Sequence, residues 1–355
     1  MKQAKRAAVM LLTLAMIFSL TACGGNNNGS DNKTTASITV YNWGDYIDPT
    51  VIDDFEKQYG IDVTYEIFTT NEEMYVKLSS GGSSYDVIFP SDYMIARLIK
   101  EDMLHKIDMS KITNYQYIGD QFKNLDYDPN NEYSVPYMWG TLGILYNTTM
   151  VDDPVDSWDI LWNPKYEKDI FMLDSQRDSI AVALKKLGYS LNTRDEAQLE
   201  EAKQELIKQR PLVLSYVGDE VKDKMIGGEA ALAVVWSGDA IYCMWENEDL
   251  AYAIPKEGSN KWFDAMCIPK SSKNKEAAEL FINYMTDPEI SLRNVEYIGY
   301  STPNTATMDM LDEEIRNDEA AYPELDSLVN CEVFEDISDI IGLYNRIWDE
   351  AKASQ

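Results

Sequence analysis

Large aromatic side chains stand beside carboxylates at several places in the sequence, and each place borders a predicted strand. The groups are Trp43-Gly44-Asp45-Tyr46, Ser91-Asp92-Tyr93, Trp236 with Asp239, and Trp262 with Asp264. A protonated amine inside a cleft needs a carboxylate to accept its hydrogen bonds, because desolvating an unpaired charge is costly. Aromatic faces attract the same cation and cover the methylene groups next to it. The pattern therefore predicts a site for a small, flexible organic polycation.

Two of these carboxylates, Asp92 and Asp239, fall in the first turns of predicted helices. A helix N-terminus is an anion site, because its free N–H groups and its dipole favour negative charge. An aspartate in the first turn would neutralise that field and so disfavour a phosphate or carboxylate ligand. Each aspartate taken alone could equally be a residue that simply stabilises the helix start. The aromatic–carboxylate groups taken together favour the cation site.

The overall charge is strongly acidic and points to the same kind of ligand. The formal net charge is −30 at pH 7, from 61 acidic and 31 basic residues. Phosphate would be repelled, so nucleic acid is excluded as a natural partner. A cationic ligand would be attracted by electrostatic steering. The same charge would also serve solubility, so charge alone leaves both interpretations open.

The residue types in the sequence argue against most kinds of catalytic and metal-binding site. His105 is the only histidine, which removes zinc sites built on histidine pairs and most histidine-based nucleophile relays. No G-x-S-x-G, P-loop or dinucleotide glycine motif occurs. We therefore expect no catalytic residue, no metal and no cofactor, although the acidic residues leave a glycosidase pair open by count. The odd set Cys243, Cys267 and Cys331 allows at most one disulfide, and buried thiols are expected.

The N-terminal residues 1–22 predict an export signal, because a basic start precedes an apolar run over 7–20. The run ends at LTAC (20–23), which resembles the bacterial lipoprotein box and implies cleavage before Cys23 and acylation of that cysteine. The alternative is an ordinary signal peptide with a chance cysteine. The polar segment 23–36 predicts a flexible linker. The protein would then be lipid-anchored on the extracytoplasmic face of the cell membrane.

Strand-like and helix-like segments alternate along the rest of the chain. The predicted strands cover 37–42, 61–68, 85–90, 169–173, 212–215, 230–235, 251–254 and 263–268, and the predicted helices cover 51–59, 72–78, 92–100, 179–187, 194–209 and 275–285. Their order predicts a parallel α/β sheet with helices on its faces. About 330 residues exceed one ordinary core, so two doubly wound lobes are expected. Ligands would bind in the cleft between them, at the carboxyl ends of strands.

Several segments together form a specific pattern by their order and spacing. They are YNWGDYIDP (41–49), YDVIFPSDYM (85–94), YSVPYMWGTLGILYN (133–147), SWDILWNPKYEKDI (157–170), VVWSGDA (234–240), KWFDAMCIPK (261–270) and YIGYSTPN (297–304). With them, nearly the whole mature chain resembles the spermidine/putrescine-binding proteins of bacterial ABC transporters. The resemblance implies a two-lobed type II periplasmic-binding-protein fold with an interlobe ligand cleft. It places one lobe over 37–141 and 263–308, and the other over 144–258 and 313–355.

The resemblance also implies a polyamine ligand, ABC permease subunits as partners, and a monomer. The residues implied to touch the ligand are Trp43, Asp45, Tyr46, Ser91, Tyr93, Asp178, Trp236, Trp262, Asp264 and Tyr300. Asp264 would be the main carboxylate for one amine. Ser175 departs from the family pattern, since an acidic residue is usual there and Asp174 would replace it only if the loop shifts. Phe334 stands where spermidine binders carry glutamine. These departures fit a shorter or less charged ligand, but two aromatic positions match the spermidine form, so both polyamines stay open.

Other functions remain open at this point. An aromatic cleft with carboxylates would also suit a tethered extracellular glycan hydrolase, which turnover of a glycan would reveal. A solute-binding lobe for another organic cation, or a sensory lobe for the same ligand, would share the fold. An adjacent permease and ATPase gene would argue against the sensory role.

Overall fold

The computed structural model describes residues 36–81, 84–323 and 328–354, and these fall in one compact unit. The predicted export signal and the predicted lipidation site at Cys23 lie outside the described residues, and so does the predicted linker except its last residue. Among the residues that are described, no helix is long and apolar enough to cross a membrane.

A mixed sheet runs through the described part of the chain. Its strands are β1 (Ala36–Trp43), β2 (Ile61–Phe68), β3 (Val87–Ile88), β4 (Ser134–Asn147), β5 (Ile170–Leu173), β6 (Val213–Val217), β7 (Leu232–Trp236), β8 (Leu250–Ala253) and β9 (Lys261–Cys267). Their order is β2-β1-β3-β9-β4-β7-β5-β6, with β8 paired to β4. As predicted, β1 runs parallel to β2 and β3, and β5 runs parallel to β6 and β7. The strands β3 with β9, and β4 with β7, β8 and β9, pair antiparallel, so the prediction of a parallel sheet was wrong for these pairs.

Helices follow most of the strands. They are α1 (Pro49–Tyr59), α2 (Asn71–Ser79), α3 (Asp92–Lys100), α4 (Gln176–Lys186), α5 (Glu196–Gln209), α6 (Val221–Ile226), α7 (Ser237–Glu246), α8 (Lys275–Met285), α9 (Pro288–Ile298), α10 (Thr305–Met310), α11 (Glu313–Arg316) and α12 (Ile341–Ala353). Local sequence sets the ends of α1. Asp48 precedes it and accepts a hydrogen bond from the N–H of Thr50, while Gly60 ends it in the left-handed conformation at φ 64°.

Strand β4 crosses from one half of the sheet to the other. Up to Thr141 it pairs with β9, and from Leu142 it pairs with β7 and β8. We call β1, β2, β3, β9 and the first part of β4 the first lobe, and β5 to β8 with the second part of β4 the second lobe. The sequence pattern does not predict β4, because nearly all of its side chains are buried. A strand covered on both faces lacks the alternation of polar and apolar residues that marks half-buried strands.

The strand directions bring the predicted site residues to one edge of each lobe. In the first lobe, the parallel strands β1 and β3 end at Trp43 and just before Ser91, while antiparallel β9 begins beside them with Trp262. In the second lobe, the parallel strands β5 and β7 end before Asp178 and at Trp236. Because parallel strands share the edge where they end, the two sets of side chains face the region between the lobes.

Candidate ligand-binding site

Asp264 on β9 is a buried carboxylate with one unsatisfied oxygen. Its side chain is 5% exposed, and its Oδ2 atom accepts a hydrogen bond of 2.8 Å from the hydroxyl of Tyr46. Its Oδ1 atom has no hydrogen-bond partner among the described residues. Burial raises the pKa of Asp264 to about 7, while the hydroxyls of Ser91 and Tyr46 act to lower it. Within the described part of the chain, no lysine or arginine balances this carboxylate when it is ionised.

Aromatic rings form a wall beside Asp264. The ring of Tyr300 stands perpendicular to that of Tyr46, with centroids 5.2 Å apart, and lies 5.5 Å from the ring of Trp262. All three residues are buried in the same cluster of the first lobe. The Nε1 atom of Trp262 is buried and has no hydrogen-bond partner among the described residues. The wall therefore offers ring faces and edges next to an unpaired carboxylate oxygen.

Asp178 in the first turn of α4 is a second carboxylate of this kind. It is 6% exposed, and its Oδ2 atom accepts a hydrogen bond of 2.6 Å from the hydroxyl of Ser175. Its Oδ1 atom, like that of Asp264, is buried without a hydrogen-bond partner in the described chain. Burial raises the pKa of Asp178 to about 6, with Ser175 and Arg177 opposing the rise. Each lobe thus contributes one carboxylate oxygen that could accept from a cation.

A chain of polar side chains connects the two carboxylates. The amide nitrogen of Asn71 donates to the hydroxyls of Ser91 and Tyr93, at 3.1 Å each. The hydroxyl of Tyr93 in turn donates to Glu72 at 3.0 Å. Ser91 adjoins Asp264, and the negative charge of Glu72 contributes to raising the pKa of Asp178. These side chains therefore run from the Asp264 end toward Asp178.

Arg177 and Phe334 form the end of the site beyond Asp178. The guanidinium of Arg177 lies 4.2 Å from the ring centroid of Phe334 and 5.1 Å from that of Tyr93. It donates to the carbonyl oxygen of Glu335 at 3.1 Å and to the side chain of Asn192 at 3.3 Å. Phe334 is buried, at 6% exposed. This end of the site is therefore bounded by a protein cation and an aromatic ring.

Asp45 and Asp239 share a cation that belongs to the protein. The ammonium of Lys222 lies 3.2 Å from Oδ2 of Asp45 and 3.9 Å from Oδ1 of Asp239. The hydroxyl of Tyr300 also donates to Asp239, at 3.0 Å. Asp45 is largely exposed and lines a cavity of about 480 Å³ at the surface. Unlike Asp264, these two carboxylates already have a positive partner.

Asp92 has a structural role beside the site. Its two oxygens accept from the backbone N–H groups of Tyr93 at 2.7 Å and Phe263 at 2.9 Å. Burial raises the pKa of Asp92 to about 8, against the lowering effect of these two bonds. The side chain therefore ties the start of α3 to β9, with a backbone hydrogen bond to each of its oxygens.

The predicted tryptophans lie around the same region. The indole of Trp43 donates to the carbonyl oxygen of Phe89 at 2.8 Å and packs on Phe68, with ring centroids 4.5 Å apart. Trp236 is half-buried and packs against buried clusters of both lobes. The structure thus places Tyr46, Trp262, Asp264 and Tyr300 in contact, while Asp45 contacts Lys222 instead.

Several residues of the site are absent from the sequence prediction. Asn71 and Glu72 follow the end of β2, so the rule that sites form at strand ends could have indicated them. Arg177 adjoins Asp178 but belongs to no recognisable pattern. Lys222 is an isolated lysine on α6, and its role depends on a contact between lobes that sequence spacing does not reveal.

The remaining chemistry-bearing groups do not add a metal site or a crosslink. Cys243 and Cys267 are buried and Cys331 is half-buried, and all three are free thiols. Within residues 36–81, 84–323 and 328–354, no group of histidine, cysteine, aspartate and glutamate side chains has the arrangement of a metal site.

Comparison with known proteins places the chain in a family of transport receptors. Residues 50–323 match the family of bacterial extracellular solute-binding proteins. The spermidine/putrescine-binding periplasmic protein of Salmonella typhimurium is 37% identical over 330 residues, which cover 92% of this chain and 94% of the relative.

Solved structures give the same assignment. A putative spermidine/putrescine ABC transporter protein from Listeria monocytogenes is 44% identical, covers 90% of this chain and 99% of its own, and superposes with a TM-score of 0.88. The TpPotD lipoprotein of Treponema pallidum is 28% identical, covers 89% of this chain and 99% of its own, and superposes with a TM-score of 0.79. These neighbours confirm the predicted two-lobed α/β fold.

Proposed function

Because this chain belongs to the family of bacterial extracellular solute-binding proteins, we propose that it captures a polyamine, putrescine or spermidine. It would pass this ligand to the permease of an ABC transporter. The name of the Salmonella relative supports the ligand, and the name of the Listeria structure supports the transporter partner.

The observation that carries the proposal is the pair of half-satisfied carboxylates. Asp264 and Asp178 are buried, and each presents an Oδ1 atom that no described residue contacts by a hydrogen bond. An ammonium group at each end of an alkyl chain would supply the missing charge-assisted hydrogen bonds. The rings of Tyr46, Trp262 and Tyr300 would cover the methylene groups between them and attract the cation.

The position of the carboxylates on different lobes suggests how binding is coupled to transport. A ligand that contacts Asp264 in the first lobe and Asp178 in the second stabilises the arrangement in which the lobes meet. The ring of Tyr300 already packs against Gly238 of α7, where a Cβ atom would lie 2.2 Å from the ring. Glycine at 238 therefore permits the close contact of the lobes that the permease would recognise.

The membrane attachment and the lobe bounds that we propose are those that the sequence predicts. We propose that Cys23 is acylated after cleavage and holds the protein on the extracytoplasmic face of the membrane, through the linker 23–36. The lipoprotein named in the Treponema relative supports this assignment. The lobes would comprise 37–141 with 263–308 and 144–258 with 313–355, and the receptor would act as a monomer.

We do not propose an enzyme. The carboxylates of the site accept bonds from Tyr46 and Ser175 or are paired with Lys222, and family membership supports solute binding. A glycan hydrolase would instead turn over a polysaccharide and lose that activity when one carboxylate is replaced. A sensory lobe would bind the same polyamine, and the neighbouring genes would distinguish it from a transport receptor.

A series of ligands with the same carbon chain tests the proposal. The purified protein is titrated calorimetrically with putrescine, n-butylamine and 1,4-butanediol, which carry two, one and no ammonium groups. We expect putrescine to bind about 10- to 100-fold more tightly than butylamine, since each buried charge-assisted bond contributes roughly 1.5–3 kcal/mol. Butanediol should not bind measurably. Equal affinity for all three, or no binding of putrescine and spermidine, would contradict the proposal.

A further inference from the structure

The carboxylates near the site fall into two groups by the partners that they have. Asp264 and Asp178 each keep an unpartnered oxygen. Asp45 and Asp239 both lie beside the ammonium of Lys222, at 3.2 Å and 3.9 Å. Among the described residues, Asp264 and Asp178 thus each keep an oxygen that could accept from an outside cation, whereas Asp45 and Asp239 share a lysine.

Lys222 lies just behind the aromatic wall. Its side chain is 16% exposed and reaches from α6 of the second lobe to Asp45, which follows β1 in the first lobe. Asp239, its second partner, accepts the hydroxyl proton of Tyr300 at 3.0 Å, and the ring of Tyr300 contacts Tyr46, which bonds to Asp264. The acidic corner formed by Asp45 and Asp239 is thus one tyrosine ring away from the Asp264 end of the site.

The opposite end of the site is also bounded by a cation. Arg177 is 4% exposed, precedes Asp178 in the chain, and lies over the rings of Phe334 and Tyr93. A ligand that extended beyond Asp178 would meet this guanidinium, and one that extended beyond Tyr300 would meet Lys222. A further ammonium group would be repelled at either end, because like charges in a buried setting disfavour each other.

We propose that Lys222 limits the ligand to two ammonium groups, because its own ammonium holds the acidic corner that a third amine would otherwise use. The inference rests on the proposed polyamine function and narrows it to diamines of putrescine type. Lys222 is then a specificity-determining residue, and the contact between Asp45 and Lys222 also links the two lobes.

Competitive calorimetry with putrescine and spermidine tests this role. The wild-type protein should bind putrescine at least as tightly as spermidine. Lys222→Met frees Asp45 and Asp239, so the ratio of spermidine affinity to putrescine affinity should rise about tenfold, as expected for one added charge-assisted bond. Lys222→Met combined with Asp45→Asn and Asp239→Asn removes both freed charges and should bring the ratio back close to the wild-type value.

Matched controls separate specificity from folding. Lys224→Met removes a lysine of the same helix that pairs with Glu229 at 3.0 Å and lies over the ring of Phe171 instead of a site residue, so the ratio should not change. Thermal unfolding verifies each variant, and Lys222→Gln gives the same comparison if Lys222→Met does not fold. An unchanged ratio in Lys222→Met, or wild-type preference for spermidine by more than about tenfold, would overturn the inference while leaving polyamine binding intact. Absence of binding to either amine would overturn the proposed function and this inference together.

Discussion

Asp264 and Asp178 are buried to nearly the same degree, and each leaves one carboxylate oxygen without a hydrogen-bond partner. Their neighbours differ. The groups that counteract burial at Asp264 are the neutral hydroxyls of Ser91 and Tyr46, whereas those at Asp178 are the hydroxyl of Ser175, the charged Arg177 and the side-chain amide of Asn260. Burial accordingly raises the pKa of Asp264 to about 7 and that of Asp178 to about 6. The Asp264 end therefore depends on the ligand for its positive charge, while the Asp178 end already has part of that charge from the protein.

The largest expected effect is an unequal response to removing the two charges. Asp264→Asn should weaken putrescine binding about 100-fold, because truncating one partner of a buried charge pair costs roughly 2–5 kcal/mol. Asp178→Asn should weaken it about tenfold, since Arg177 already offsets part of that charge. Both affinities are measured by titration calorimetry.

The exposed Asp309 on α10 provides the control, because Asp309→Asn removes a charge of the same sign away from the site. Its affinity for putrescine should equal that of the wild type. Equal losses for Asp264→Asn and Asp178→Asn would show that Arg177 does not distinguish the two ends.

The same comparison shows what local sequence can and cannot predict about the fold. Segments such as β2 and α3 have one buried face, and their periodicity predicted them within a few residues. Strand β4 is buried on both faces, so it has no such period, although it joins the lobes and fixes their order in the sheet. The strand predicted over 85–90 is only two residues long in the structure, Val87–Ile88, because β3 pairs with β1 and β9 over these residues alone. For both β4 and β3, pairing between strands far apart in the sequence determines the extent of the strand.

The second expected effect is a dependence of affinity on pH that originates at Asp264. An ammonium group binds the ionised carboxylate, so binding must displace the proton that burial retains up to a pKa of about 7. Lowering the pH from about 8 to about 6 reduces the ionised fraction of such a group about tenfold, and the affinity for putrescine should fall by about the same factor. Affinity therefore rises with pH across this window.

Calorimetry in two buffers of different ionisation enthalpy measures the proton release directly. Near pH 7, binding should release about half a proton from Asp264, because the group is then half protonated before the ligand arrives. Asp264→Asn should remove most of this release, and Asp178→Asn should leave most of it. Affinity that stays constant between about pH 6 and about pH 8 would contradict the assignment.

Only part of the candidate site could be predicted from the sequence. Aromatic–carboxylate spacing indicated Asp264 and Trp262, which strand order then brings beside Tyr46. The same spacing selected Asp92, whose oxygens are both used by backbone N–H groups. Which carboxylate keeps an unpaired oxygen depends on hydrogen bonds between residues that are far apart in the chain. The spacing of residues along the sequence does not indicate these bonds. The contact of Lys222 with Asp45 is of the same kind.

The smallest expected effect compares the hydroxyl donors at the two ends. Tyr46→Phe keeps the ring that packs against Tyr300 but removes the 2.8 Å bond to Asp264. Putrescine affinity should fall about fivefold, as for one hydrogen bond of about 1 kcal/mol. The pKa of Asp264 should rise further, which moves the pH dependence of binding to higher pH.

Ser175→Ala removes the corresponding donor to Asp178, yet its main effect should be on stability. Ser175 precedes α4 and its hydroxyl also accepts from the N–H of Asp178, so its loss should cost about 1 kcal/mol of unfolding free energy. Affinity should change only about twofold, because Arg177 still offsets the charge of Asp178. Denaturant unfolding and calorimetry of both variants separate the two readouts. If Ser175→Ala weakened binding as much as Tyr46→Phe, the Asp178 end would depend on the ligand as strongly as the Asp264 end, and the contrast between them would fail.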